Sequence, residues 1–358
     1  MIRKKQLGNK LAVIEAMRTA VAIVVSLIIV FVIIFMISET PIAAIREFVF
    51  GPLTSIRRIG NVIEASVPLM FTGLAVILLQ RSGLYNLAME GAFFMGAVAS
   101  TAISLMLDMP AGMNLLFSCI AGCVAGGIIC AVPTVLKVKC EANVLVTSLM
   151  MNYICLYLGF YVVINFFQDP KMNSNYSFKF AENVQFRELF SKTRINSGLI
   201  LCFICVALVW LLLNKTSFGY KVTMVGKNAI MTKYAGMNIG KLIISSSIIG
   251  GALAGLGGSV DLFGMYNRFQ YSGLAGYGWD GILIAIVARH KVQYVPIAAL
   301  FLAYLRIGAD VMSIRSDIPS EMIKIIQAVV IVLISAQAIL SKYKKQVIIQ
   351  EAKAGEAV

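Results

Sequence analysis

Apolar runs long enough to cross a lipid bilayer recur along almost the whole of this chain, and they leave it few ways to fold. A hydrocarbon core is about 30 Å thick, which an α-helix crosses in roughly 20 residues. Backbone polar groups find no water there, and a helix satisfies them internally. Ten such windows stand at about 19–37, 62–80, 84–107, 114–136, 143–165, 197–213, 242–264, 276–289, 293–311 and 321–340. Hydrophobic residues make up 59% of the 358 and charged residues 13%, about half the charged share of a soluble protein. The expected fold is an all-α polytopic membrane protein of about ten transmembrane helices.

Charge then orients the spans. Residues 1–18 hold Arg3, Lys4, Lys5, Lys10 and Arg18. With the first apolar run they resemble a signal peptide, but that run is too long and no small-x-small cleavage site follows. A retained first helix with its N-terminus inside is expected. The cytoplasmic connections then contain Arg81, Lys137, Lys139, Arg289, Lys291 and the tail lysines Lys342, Lys344, Lys345 and Lys353, while the outer pieces are mixed in charge. Lys and Arg favour the cytoplasmic side, and an even number of spans returns the C-terminus there. The organisation that follows is a basic N-terminus (1–18), a membrane domain (19–341) and a cytoplasmic tail (342–358). The domain includes a long outer segment, 166–196, in which 181–192 is expected to form a short surface helix. The net charge of +14 fits this bias and anionic lipid. Nucleic acid is not expected, for no basic face with interleaved aromatics exists.

The connection at 214–241 stands apart. Lys215, Lys221, Lys227, Lys233 and Lys241 punctuate it and no acidic residue does, so it reads as a docking surface rather than a simple link. Two other segments are too polar and Gly-rich for ordinary membrane helices. Gly83-Leu-Tyr-Asn-Leu-Ala-Met-Glu-Gly91 contains Tyr85, Asn86 and Glu90; Gly276-Tyr-Gly-Trp-Asp-Gly281 contains Tyr277, Trp279 and Asp280. Irregular backbone at membrane depth survives where it lines protein or a wet cavity, and a carboxylate there needs a partner or a water path. These residues are candidate linings of a translocation path; helix capping in a turn and glycine packing are the plainer readings. If spans two to five and seven to ten are related, the odd offset makes the repeat inverted, a common transporter plan. Gly250, Gly251, Gly255, Gly257 and Gly258 read chiefly as close helix packing.

Several chemistries are excluded. Gly276-x-Gly278-x-x-Gly281 follows a membrane span rather than a strand, so it is no dinucleotide fingerprint, and Gly236-Met-Asn-Ile-Gly240-Lys241 lacks the Ser or Thr of a Walker A loop. Cys202 and Cys205 have redox spacing but lie within an apolar span without a βαβ context. His290, the only histidine, has no cluster of Cys or carboxylates beside it in sequence, so no metal site is expected. An enzyme is not expected either.

Between about Val67 and Met312 the chain resembles the permease subunits of ABC importers for nucleosides and simple sugars, within the wider branched-chain amino-acid/ribose class. The motifs are Pro68-Leu-Met-Phe-Thr-Gly-Leu-Ala, Gly83 to Gly91, Glu141-Ala-Asn-Val-Leu-Val-Thr-Ser-Leu-Met-Met-Asn-Tyr153, Phe218-Gly-Tyr-Lys with Val225-Gly-Lys-Asn and Lys233-Tyr-Ala-Gly-Met237, and Gly276 to Ile282. Their wording is closest to the nucleoside branch. Leu87-Ala88 stands where the family usually carries Ile-Gly, and Met231-Thr232-Lys233 where its loop usually shows Ala-Ala and often Arg.

The resemblance implies that Gly219 to Met237 holds a short coupling helix for a separate ABC ATPase, with Gly219, Tyr220, Lys221, Gly226, Lys227, Asn228, Lys233, Tyr234 and Gly236 in the coupling loop. It implies that Asn86, Glu90 and the Tyr277–Asp280 segment lie near the path; Tyr85 and Asn152 are candidates beside them. It implies a second, homologous permease chain, an extracytoplasmic substrate-binding lipoprotein, and a plasma-membrane location with both termini cytoplasmic. No cofactor is expected on this chain, ATP and Mg²⁺ belonging to the ATPase. A simple-sugar importer is the nearest rival. An ion-coupled secondary transporter using Glu90, Asp261 or Asp280 as proton carriers is a mechanistic alternative, and a membrane scaffold a third.

Overall fold

The computed structural model describes residues 28, 31–32, 34–35 and 39–316, apart from 108–109, 111, 173–175, 182–183 and 191–192. Most of the first expected span and all of 321–340, with both terminal segments, lie outside the described residues. The helices are α1 (Pro41–Phe50), α2 (Ile56–Arg81), α3 (Met89–Met106), α4 (Met113–Cys140), α5 (Val144–Val162), α6 (Gly198–Lys215), α7 (Ser217–Lys227), α8 (Ala229–Tyr234), α9 (Ile239–Met265), α10 (Tyr277–Val287) and α11 (Val295–Arg315). A π-helical turn, Val163–Phe167, prolongs α5, and a 3₁₀ turn, Val292–Tyr294, precedes α11.

Seven helices among the described residues are long and apolar enough to cross a membrane: α2, α3, α4, α5 with its π turn, α6, α9, and α11 with its 3₁₀ turn. The expected span at 276–289 is different. Its helix α10 has 11 residues, about 16 Å at 1.5 Å per residue, roughly half a crossing. Gly276 enters it in the left-handed region, and Arg289 and His290 leave it there (φ 53° and 55°), so the backbone turns away at both ends.

Two compact units divide the chain, one of residues 1–55 with 304–358 and one of 56–303. Within the first, α1 packs on the C-terminal part of α11. The Tyr304 hydroxyl donates to the Val49 carbonyl, and Arg315 lies 3.4 Å from Glu47.

Within the second, α2 is the central helix, with 83% of its apolar window buried, whereas the α5 span buries 22%. A glycine-rich α9 packs against α2, α3 and α4. The helices meet backbone to backbone: a Cβ at Gly255 would lie 2.1 Å from the Gly122 carbonyl oxygen, and one at Gly258 2.0 Å from that of Phe93. Only glycine permits such approach. Hydroxyls close the remaining polar positions, the Ser100 and Ser259 side chains standing 2.6 Å apart and Ser100 donating to the Ser118 carbonyl at 2.8 Å.

The segment between α5 and α6 lies along the stretch that follows α9. Phe180 N–H donates to the Asn267 carbonyl at 2.9 Å and Phe186 N–H to that of Phe263 at 3.2 Å. Phe93, Phe94, Phe180, Phe263, Phe269 and Tyr271 bury their rings together beneath it. The described residues of 181–192 contain no α-helix. Phe186 N–H is taken by the Phe263 carbonyl, and Leu189 N–H and the Arg187 carbonyl pair with Ile195 and Ser197 about the Glu188–Asn196 bridge, so these groups are not turned to partners one helical turn away.

Candidate functional site

The Gly83–Gly91 segment begins where α2 runs out of helix. Gly83 adopts φ +76°, a conformation glycine reaches without the steric penalty of a Cβ. Leu84 N–H reaches back to the Leu79 carbonyl at 3.2 Å, and the chain runs without helix to α3. Its polar backbone is buried, so each group needs a partner. Side chains of α5 and the segment's own Asn86 supply them. Ser148 on α5 accepts from Leu87 N–H at 3.1 Å, and Asn152 donates to the Leu87 carbonyl at 3.0 Å while accepting from Gly91 N–H at 2.9 Å. Asn86 accepts from Ala88 N–H at 2.9 Å; its amide donates to the Cys130 carbonyl at 2.9 Å and lies 3.2 Å from the Ser247 hydroxyl. The break is thereby tied to α4, α5 and α9.

Glu90, at the start of α3, ties it to α10. Its two carboxyl oxygens accept from the N–H groups of Gly276 and Gly278, at 2.5 Å each. The first turn of a helix carries unpaired donors and the positive end of the peptide dipoles. Glycine at the N-cap offers no side chain to meet them, so a carboxylate from another helix does so. A Cβ at Gly278 would fall 2.5 Å from Glu90 N, which is why the partner strip must be bare there.

The two Gly-bounded segments picked out by sequence therefore meet. Asn86, Glu90 and Asn152 are buried within that junction. Tyr277 follows Gly276 directly, its ring 5.0 Å from that of Phe93 and tilted to it by 51°. Asp280 is buried in the first turn of α10, while Trp279 beside it is 48% exposed and Tyr85 62%. Ser148, Thr134 and Ser247, equally part of the junction, escaped sequence reading: short hydroxyl side chains within apolar runs carry no spacing signal. Thr134 donates to the Ser247 hydroxyl at 2.7 Å.

The lysine-rich connection folds into α7 and α8. Thr216 caps the first by accepting from Gly219 N–H at 3.2 Å, and Asn228 the second from Met231 N–H at 3.0 Å. Gly219, Val222 and Val225 face inward on α7 and Thr232 on α8. Tyr220, Lys221, Lys227, Lys233 and Tyr234 are exposed, with Ile230 and Met231 among them. Gly236 follows α8 at φ +73° with no atom within 4 Å of a built Cβ. Gly226 touches the break itself: a Cβ there would lie 2.2 Å from the Arg81 carbonyl oxygen and 2.9 Å from Gly83 N. The basic, apolar-studded helix pair is thus seated on the turn that leads to Asn86 and Glu90.

Near the opposite end of α9 a cavity of about 480 Å³ is lined by Lys179, Glu188, Arg194, Tyr266, Arg268 and Gln270, among others. Burial, with the carboxylates of Asp261 and Glu64 nearby, pushes the Tyr266 phenol up to about 12. Asp261 accepts a hydrogen bond from the Tyr271 hydroxyl.

Residues 58–335 match the family model described as branched-chain amino acid transport system, permease component. A guanosine ABC transporter permease protein of Bacillus subtilis is 30% identical over 80% of this chain and 85% of its own length. A glucose ABC transporter permease protein of Haloferax volcanii is also 30% identical, over 82% of this chain and 80% of its own. A nucleoside ABC transporter permease protein of Lactococcus lactis is 28% identical over 88% of each. With a multi-span helical fold, an irregular buried junction and this match across most of its length, the chain belongs to the branched-chain amino acid transport system permease family.

Proposed function

We propose that this chain is one permease half of an ATP-driven ABC importer of the plasma membrane that takes up nucleosides. A separate ATPase holds ATP and Mg²⁺ and docks on α7 and α8. A second, homologous permease completes the pore, and a substrate-binding lipoprotein delivers solute from outside, both termini of this chain facing the cytoplasm. The nucleoside and guanosine permeases among the relatives support the substrate. The observation that carries the coupling is the contact of Gly226 with Arg81 and Gly83. A push on the α7–α8 pair reaches the stapled break directly, and Glu90 extends the linkage to the N-terminus of α10. Tyr220, Lys221, Gly226, Lys227, Asn228, Lys233, Tyr234 and Gly236, with Gly219 beneath them, form the docking and transmission surface. Asn86, Glu90 and Asn152 hold the break in shape, while Tyr85, Tyr277, Trp279 and Asp280 border the path. The expected inverted repeat belongs to the same reading.

The glucose permease relative favours a second substrate class, simple sugars, on the same architecture. ATP-dependent uptake of labelled guanosine by the whole complex in proteoliposomes, with unlabelled nucleosides and ribose as competitors, separates the two. Competition by nucleosides but not ribose is the expected result. Ribose-only competition, or no guanosine uptake, refutes the nucleoside reading, and uptake without the ATPase refutes the importer.

A further inference from the structure

The exposed face of α5 carries tyrosines at depths where a lipid-facing helix is apolar. Tyr153, Tyr157 and Tyr161 succeed one another at four-residue spacing and are 60%, 71% and 60% exposed, so they form one stripe along the helix. The other face, with Ser148, Asn152, Cys155 and Gly159, is buried against α3 and the break. The span Val144–Phe167 has 24 residues. Tyr157 therefore sits near mid-depth with a neighbouring tyrosine about 6 Å to each side. Tyrosines of membrane proteins gather at the lipid–water boundary, where the ring is apolar and the hydroxyl wet. Held in hydrocarbon, a phenol hydroxyl has nothing to bond. Among the described residues none of these three hydroxyls has a hydrogen-bond partner.

The flanking helices serve as an internal control. α4 exposes Leu116, Ile120, Val124, Ile128 and Val132, and α6 exposes Ile200, Phe203, Ile204, Leu208 and Leu211. Those large side chains are apolar throughout, as lipid requires. On α5 Met150, Ile154 and Leu158 are exposed as well, but a tyrosine recurs beside them at every turn through the middle of the span. Water, or a solute that carries hydrogen-bonding groups, would satisfy the tyrosine hydroxyls along this face.

We infer that the tyrosine face of α5 lines the solute conduit and stacks the base of a nucleoside in transit, the second permease chain forming the opposite wall. This rests on the nucleoside reading for the identity of the solute, but not for the conduit. A flat base offers a π-face whatever its sequence of polar atoms, and an aromatic ring receives it. The hydroxyls meet ribose, base edges or water. Three rings at steps of about 6 Å provide successive similar positions, so a base is passed along rather than held.

The test uses the complete complex in proteoliposomes with binding protein, ATP and guanosine. Cys140, an exposed native thiol, is first replaced by Ser. Tyr153→Cys and Tyr157→Cys are then compared with Val124→Cys and Leu208→Cys for reaction with a charged, membrane-impermeant methanethiosulfonate present on both faces. The two α5 cysteines should react at least tenfold faster than the controls, and guanosine under turnover should slow them severalfold. Labelling of Cys at 157 no faster than at 208 overturns the conduit. Fast labelling without guanosine protection, in a complex that imports guanosine, overturns the base contact. Tyr157→Phe should keep uptake within about twofold and Tyr157→Ala lower it about tenfold, as loss of one stacking ring does; equal loss in both overturns stacking. A wild-type complex that imports a sugar and no nucleoside refutes the substrate and the base contact together, while the labelling contrast still decides the conduit.

Discussion

Replacing Glu90 tests the junction between α3 and α10 most directly. Its carboxylate offers two acceptors, each used by one backbone N–H of the α10 N-terminus, Gly276 and Gly278. Alanine removes both. A buried donor left without an acceptor costs about 1–3 kcal/mol. Gly278 is buried and Gly276 only half so, which puts the second at the low end and the sum at about 2–4 kcal/mol. Glutamine keeps one acceptor and turns its NH₂ toward the other amide, so it should lose about half as much. The assay is available in the chain itself. Trp279 lies one residue beyond Gly278, and Trp210 is the other of the two tryptophans; in a Trp210→Phe background, emission follows α10 alone. Unfolding of the purified chain in mixed micelles should rank wild type above Glu90→Gln above Glu90→Ala, with steps of about 1–2 kcal/mol. An alanine variant within about 0.5 kcal/mol of wild type, the range of an inert substitution, would refute the clasp. Equal losses for Gln and Ala would refute the acceptor count behind it.

Gly226→Asp should abolish ATP-dependent uptake and weaken ATPase association in pull-down, since its Cβ would fall 2.2 Å from the Arg81 carbonyl oxygen; retained uptake would sever α7 from the break. Gly255→Ala should lower stability by about 1–3 kcal/mol or more through overpacking, because its Cβ would lie 2.1 Å from the Gly122 oxygen. Gly112→Ala, with nothing within 4 Å, should stay near wild type in the same thermal scan. Asn86→Ala should cost about 1–3 kcal/mol by releasing the buried Ala88 N–H, the Cys130 carbonyl keeping Ser247 and Thr134, and hydrogen exchange at Ala88 should accelerate; unchanged exchange would show that the loop holds itself.

Much of this was readable from residue order. The apolar windows located all seven long described helices, the largest misses being the start of α2, at Ile56 rather than 62, and that of α3, at Met89 rather than 84, as bilayer thickness sets a length that composition alone must fill. The family motifs pointed to the permease family that the match over 58–335 bears out. The half-length of α10 was hidden because Ile282–Val287 is as apolar as any spanning core, and only the backbone turns at Gly276 and at Arg289–His290 shorten it. The expected surface helix at 181–192 is absent from its described residues for a related reason: Phe263, Ile195 and Ser197 take the backbone bonds of Phe186, Leu189 and Arg187.

By itself the sequence determined that this chain is a bundle of membrane helices, that its lysine-rich connection is exposed and that two Gly-bounded segments interrupt the helices. Those properties depend on transfer from water to lipid and on local backbone freedom, which are written residue by residue. The tertiary structure alone decided that Glu90 meets Gly276 and Gly278 across 186 and 188 residues, that Gly226 rests on Gly83, and that the tyrosines of α5 face outward while Asn152 beside them faces in. Such pairings arise because a buried N–H or C=O bonds to whichever partner packing brings near, and closeness in space leaves no mark in the order of residues.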